Sequence, residues 1–414
     1  MCREIPEIAC REQPRNFLIH IGSLVASRSG DQLSSPKLVL SWLLVHLGAP
    51  VFMLGLLVPI RESLSLLPQL FVARYIRRVG VRKWFWVAGS LVEGAAVITM
   101  ALVAVTLQGA IAGWCILALL TIFSLARGVC SIAAKDVLGK TVSKTRRGMV
   151  SGYASSLAGA ITIVVGVVWL FVAPHEQGVP FLAGLLVIAG TFWLLAAFLY
   201  GQLAEYSGAT EGGGNAFYEA IRQMGLIRKD AHLRQFLVVR MLLLSTALVA
   251  PFYIALINRQ SGVGLAELGV LLIVTGTAGF LSAPVWGRLS DRSSRKTMAI
   301  AALLAALAGF TTVVLARMGA FPGLSIWLAA TWFLLTIAHA GVRVGRKTHL
   351  IDIATTQNRA SYVAVSNTVI GVMLLVGGAI SGLAALLGPD AAILALSILS
   401  LLAAVAASRL KEAQ

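Results

Sequence analysis

The chain has 414 residues, 58% of them hydrophobic and only 12% charged, with a mean hydropathy of +0.86. Soluble domains carry about a quarter charged residues, so this composition excludes a soluble enzyme or binding module and indicates an all-α, polytopic membrane protein. The net charge of +17 does not point to nucleic acid, because Lys and Arg cluster in short segments between apolar runs, the pattern that orients membrane spans.

Residues 1–16 mix acidic and basic side chains and read as a cytoplasmic lead, not a cleavable signal. The next stretch, "SLVASRSGDQLSSPKLVLSWLLV" (Ser23 to Val45), is ambiguous. Hydropathy alone would start the first span at Pro36 and leave Arg28, Asp31 and Gln32 in a tail. Further on, apolar runs of about 20 residues lie near 84–106, 111–133, 149–173 and 180–201. Residues 202–234 form a polar connection with "GATEGGGN" and an amphipathic segment, "AFYEAIRQMGLIRKD". Six more runs lie near 235–257, 264–286, 297–316, 323–343, 361–386 and 390–408, before a short polar tail at 409–414.

An internal repeat resolves the start of the chain. "TRRGMVSGYASSLAG" aligns with "QNRASYVAVSNTVIG", placing Arg147 on Arg359 and Gly159 on Gly371, each 212 residues apart. "VRKWFWVAG" aligns with "SRKTMAIAA", with Arg82 on Arg295 at an offset of 213. Two spans precede the Arg-Lys pair of the second half, so two must precede it in the first. They are expected at about 17–46 and 52–76, giving twelve spans as a six-helix bundle over 17–201 and a second over 235–408. On this count the connections on one side carry 22 Lys and Arg, and those on the other only Arg259 and Arg317. That asymmetry puts both termini and the central connection in the cytoplasm.

The connection after the eighth span reads "GRLSDRSSRK" (Gly287 to Lys296). It resembles the signature loop of the major facilitator superfamily, G-x-L-x-D-R-x-x-R-K, and the twelve-span, twofold plan fits that superfamily over nearly the whole chain. The resemblance implies a secondary transporter that works by alternating access, with Gly287, Asp291, Arg292, Arg295 and Lys296 as a gating loop. Physically, Gly287 permits close helix approach, and Asp291 can meet a helix N-terminus or a neighbouring Arg. The first-half copy, "ARYIRRVGVRK" (Ala73 to Lys83), has Ala73 in place of Gly and Arg77 in place of Asp, so Asp136 is the acid expected to meet Arg77 or Arg78. The fifth span, "GMVSGYASSLAGAITIVVGVV", lacks the Gly-Pro of the superfamily's drug–proton antiporters.

A charge at mid-membrane costs about 2.5–3.5 kcal/mol and therefore marks a candidate site. In the first span Arg28, Asp31 and Ser35 share one face, as do Glu62, Ser65 and Gln69 in the second. Other intramembrane groups are Arg61, Glu93, Arg127, Arg240 and His339, while Lys37 is placed to snorkel outward. By the resemblance, spans 1, 4, 7 and 10 line the central path. The substrate and proton-coupling candidates are therefore Arg28, Asp31, Arg61, Glu62, Arg127, Arg240 and His339. Arg28–Asp31 and Arg61–Glu62 could equally be internal ion pairs that hold helices together.

No nucleotide loop, zinc spacing or hydrolase motif is present; "AKDVLGKT" (Ala134 to Thr141) lacks the first Gly of a phosphate loop. The expected protein is a multi-pass cell-membrane permease, in bacteria of the inner membrane. It acts as a monomer without cofactor or metal and has protons, a small-molecule substrate and lipid as partners. The Arg-rich lining favours a small organic anion or metabolite. Efflux of amphipathic drugs, or a non-transporting sensor or scaffold, are the alternatives.

Overall fold

The computed structural model describes residues 7–66, 75–76, 78–172, 178–208, 224–261, 266–319, 324–354 and 359–412, and every regular element among them is helical. Among the described residues, ten helices are long and apolar enough to cross a membrane. The first half supplies α1 (Glu7–Leu33), α2 (Val39–His46), α3 (Leu54–Leu66), α4 (Lys83–Thr106), α5 (Gly109–Thr141), α6 (Lys144–Val172) and α7 (Val179–Gly201). The second half runs through α8 (Ala231–Leu242), α9 (Ser245–Leu248), α10 (Ala250–Ser261), α11 (Ala266–Arg292), α12 (Ser294–Arg317), α13 (Leu324–Asp352), α14 (Arg359–Ala384) and α15 (Pro389–Ser408). The stretch α8–α10 is one of the ten spans.

The ambiguous polar stretch is helical: Ser27 to Gln32 lie inside α1. The helix begins earlier than expected, at Glu7, and breaks at 34–38, where Pro36 has no N–H and drives Ser35 out of helical geometry. Its early turns are pinned to the bundle. Asn16 exchanges two 3.0 Å hydrogen bonds with the Ala204 backbone, and Gln13 Oε1 accepts from the Ser143 N–H at 3.0 Å.

The halves meet along two equivalent seams, α3 against α14 and α6 against α11. In the first, Gly55 lies so close to α14 that a Cβ would stand 2.7 Å from Gly382 Cα. In the second, a Cβ on Gly166 would stand 3.0 Å from Gly269 O, so only glycine permits this backbone approach. Both contacts lie toward the end remote from the Lys/Arg-rich connections. Toward the basic end, a Cβ on Gly148 or Gly152 of α6, or on Gly279 or Gly287 of α11, would meet nothing within 4 Å. Both seams are therefore in close backbone contact at the end remote from the basic connections; toward the basic end these four glycines have room beside them, and the space there is called the cleft.

Candidate functional site

Helices α1, α3, α5 and α13 bring the predicted charges to the cleft. Asp31 on α1 is the hub of the first half: Arg61 Nη2 of α3 donates to its Oδ1 at 2.5 Å, and Arg127 Nη2 of α5 lies 3.5 Å from Oδ2. Arg61 also covers the Phe123 ring at 4.9 Å, and Arg127 covers Trp193 at 5.0 Å. Beneath Arg127, at 4.0 Å, sits Glu93 of α4, which is 0% exposed. Glu93 is not among the substrate and proton-coupling candidates expected from the sequence, yet its side chain turns into the cluster.

Arg28 does not pair with Asp31, although the two share a helix face. Its guanidinium turns to α6, donating to Ser151 O at 2.7 Å, to Ser151 Oγ at 2.9 Å and to Ser155 Oγ. Glu62 makes no hydrogen bond or ion pair through its carboxylate among the described residues. Lys37, Arg61 and Arg346 are the cations within its electrostatic reach. Gln69, the third member of its stripe, lies outside the described residues.

Lys37 does not snorkel outward. Beyond the Pro36 break its ammonium turns inward and lies 2.8 Å from His339 Nε2 on α13. Thr246 Oγ1, which donates to Leu243 O, lies 3.2 Å from Nδ1. These partners assign the proton to Nδ1 and leave Nε2 to accept from Lys37. His339 thus ties the first half to the second. Arg343 and Arg346 follow it at helical spacing. The apolar run ends near 343 in the sequence, but α13 continues to Asp352 and holds both arginines in the helix.

Arg240 on α8 is 8% exposed and donates to Ser366 Oγ and, at 3.1 Å, to Asn367 Oδ1 on α14. No carboxylate lies within ion-pair distance of it among the described residues. Acidic residues are scarce throughout this half. Glu267, Asp291, Asp352 and Asp390, the four within 231–408, all stand within two positions of a helix end.

At the basic end, Asp291 and Arg292 are exposed, and Asp291 makes no hydrogen bond or ion pair among the described residues. Lys296 is exposed too. Arg295 meets Glu412 at 3.3 Å, and Glu412 also accepts from Ser293, the N-cap of α12. In the first half Asp136 pairs with Arg82 and with Lys140 (2.7 Å), not with Arg78; Arg77 lies outside the described residues. The acid at the start of α4 is Glu205, which accepts from the N–H groups of Arg82 (2.9 Å) and Lys83 (2.6 Å) and from Lys140 Nζ (3.0 Å). Glu205 and Glu412 are matching anchors in the two halves, each at a helix N-terminus, where a carboxylate is favoured. Neither belongs to the loop motif, so no signal in that motif could have identified them.

Residues 235–413 match the family model of the Major Facilitator Superfamily. Over nearly the whole chain the fold is similar to that of a POT family transporter solved with a thioalcohol-conjugated peptide. Its TM-score is 0.73 at 11% identity, over 94% of this chain and 95% of that one. It is also similar to a D-xylose–proton symporter, with TM-score 0.72 and 11% identity over 97% and 98% of the two chains. A third similar structure is the nucleoside transporter NupG, with TM-score 0.69 and 12% identity over 95% and 98%. No curated protein matches the chain significantly.

Proposed function

We infer that this chain, a member of the major facilitator superfamily, is a proton-coupled secondary transporter for a small organic anion. The structures it resembles carry a peptide, xylose or nucleosides in their descriptions, so the fold does not select the substrate and the site must. The observation that carries the reading is the charge balance of the cleft. Arg28, Lys37, Arg61, Arg127, Arg240, Arg343 and Arg346 face only Asp31, Glu62 and Glu93. In the first half Asp31 and Glu93 meet Arg61 and Arg127, whereas Arg28, and Arg240, Arg343 and Arg346 of the second half, meet no carboxylate within 4.0 Å among the described residues. A surplus of fixed positive charge in a low-dielectric cleft attracts an anion and repels a cation.

In this reading α1–α2 and α3 are the first two of twelve spans, the basic end is cytoplasmic, and the cleft opens inward. The site is Arg28, Asp31, Arg61, Glu62, Arg127, Arg240 and His339. Transport follows from rocking the halves about the glycine seams, with "GRLSDRSSRK" closing on its partners when the inner end shuts. Glu62 is the better proton carrier of the two candidate acids. Protonating Asp31 disrupts two guanidinium contacts, whereas protonating Glu62 disrupts none. The protein acts as a monomer in the cell membrane.

The test is flux in proteoliposomes. A labelled dicarboxylate should accumulate on imposing a proton gradient. Glu62→Gln should abolish accumulation while retaining exchange of internal for external solute, and Asp31→Asn should impair both. Equal gradient-driven accumulation in the parent, Glu62→Gln and Asp31→Asn proteins would refute the coupling. Uptake of neutral but not anionic solutes would refute the substrate class.

A further inference from the structure

Arg28 and Arg240 are 212 residues apart, the offset of the internal repeat, and their surroundings repeat with them. Each extends its guanidinium to the equivalent neighbouring helix, α6 in one half and α14 in the other. Arg28 is held there by Ser151 and Ser155, and Arg240 by Ser366 and Asn367, with Asn367 falling on Ser155 at the same offset. Neither meets a carboxylate within 4.0 Å among the described residues. The partners are hydroxyl, carbonyl and amide oxygens, which orient a guanidinium without neutralising it. The need is greatest at Arg240, which is 8% exposed, has no hydrogen-bond partner at Nε and lies within electrostatic reach of a like charge, Arg346. A buried cation without a counter-ion is a state that proteins avoid or reserve for a ligand.

We propose that Arg28 and Arg240 are two quasi-equivalent anion seats, one in each half, that take the two charged ends of one small dianionic solute. The proposal rests on the anion-transport reading and narrows it. A monoanion fills one seat and leaves the other uncompensated. A dianion engages both halves at once, so its binding favours their approach. Each seat is a fork already held by oxygen acceptors, the geometry that suits a carboxylate or phosphate.

The seats can be neutralised from within. Ser155→Asp and Asn367→Asp each place a carboxylate beside one arginine, so the new side chain takes the place of the ligand's charge. The measurement is binding of succinate, lactate and inorganic phosphate to the purified full-length protein, by thermal shift and calorimetry. The parent should bind succinate at least about tenfold more tightly than lactate, and each Asp variant should lose about 10–100-fold in succinate affinity, the range for removing a charge-assisted contact. Basal melting temperature should hold or rise in both variants. If Asn367→Asp yields no folded protein, Arg240→Lys keeps the charge, loses the fork, and should show a smaller loss in the same direction. Unchanged succinate affinity in the variants overturns the seats while leaving the anion reading intact. A loss in only one half overturns the paired arrangement. A parent that binds none of the three anions overturns both.

Discussion

The two halves share a fold and an internal repeat, yet they treat buried charge in opposite ways. In the first, Asp31 sits between Arg61 and Arg127, Arg127 reaches Glu93, and at the basic end Asp136 and Glu205 hold Arg82 and Lys140. In the second, Arg240 is held among the described residues by Ser366 and Asn367, and the acids of 231–408 stand only at helix ends. The contrast separates structure from reception. Paired charges with rings stacked over them form a stiff network whose members need one another, whereas unpaired cations wait on something that arrives.

The sharpest way to break this contrast is to remove one member of each set. Arg127→Gln leaves Asp31 short of a partner and Glu93 buried without one. It should destabilise the protein by about 3–5 kcal/mol, the range for breaking a buried pair, seen as a large fall in melting temperature or as failure to fold. Arg343→Gln, which removes a cation that makes no ion pair among the described residues, should change stability by less than about 0.5 kcal/mol. Similar losses in the two would dissolve the distinction. The basal anchors offer a second, smaller comparison. Glu205 is 0% exposed at its side chain and accepts from two backbone N–H groups and Lys140, while Glu412 is 32% exposed. Glu205→Gln should cost about 2 kcal/mol, and Glu412→Gln under about 1 kcal/mol, by chemical or thermal unfolding in detergent.

The same contrast explains what the sequence could and could not tell. Ten spans announce themselves by length and apolarity alone, and the repeat offset recovers Ser27 to Gln32 as helix despite its polarity. Spacing of i and i+3 puts Arg28 and Asp31 on one face of α1, while Ser35, the third member of that expected stripe, falls in the break after Leu33; even for the first two, a face is not a partner. Rotation and depth of the neighbouring helices decide that Asp31 meets Arg61 and Arg127 while Arg28 turns to α6. Lys37 was misjudged for a local reason, since the break at Pro36 redirects the chain and with it the ammonium. Glu93 shows the reverse case, a residue outside the expected candidate set that the direction of its side chain brings into the cluster.

Lys37 and His339 are where the two regimes touch. Their 2.8 Å contact joins a first-half cation to a second-half ring, and it is directional, because Nδ1 is committed to Thr246. Lys37→Met removes the donor while keeping the stem, so it should weaken closure of the end remote from the basic connections by about 1 kcal/mol, roughly a fivefold shift in the population open at that end. Cysteines introduced along α3 near Gly55 should then label faster from the end remote from the basic connections. Unchanged labelling would mean that the glycine seams alone hold that end shut.

The smallest expected effect lies outside the membrane. Asp230 caps α8, accepting from the N–H groups of His232 (2.8 Å) and Leu233 (3.1 Å), and Tyr362 of α14 donates to its other oxygen. The Tyr362 hydroxyl, more than the cap, holds the Asp230 carboxyl below its ordinary value despite partial burial. A depressed folded value means that the ionised form stabilises the native state. The contribution is therefore fully present above the unfolded carboxylate value of about 3.9 and is lost as pH falls through the lower folded value. Asp230→Asn keeps an N-cap acceptor and removes the charge. It should lower the melting temperature by a degree or two at pH 7 and leave it unchanged at the acid limit, so the two pH curves converge on acidification. Asp230 and Tyr362 link the start of α8 to α14, the helix that Arg240 meets further along α8, so the variant also asks whether this carboxylate is purely structural. Parallel curves, offset equally at every pH, would show that the cap's geometry and not its charge carries the stability.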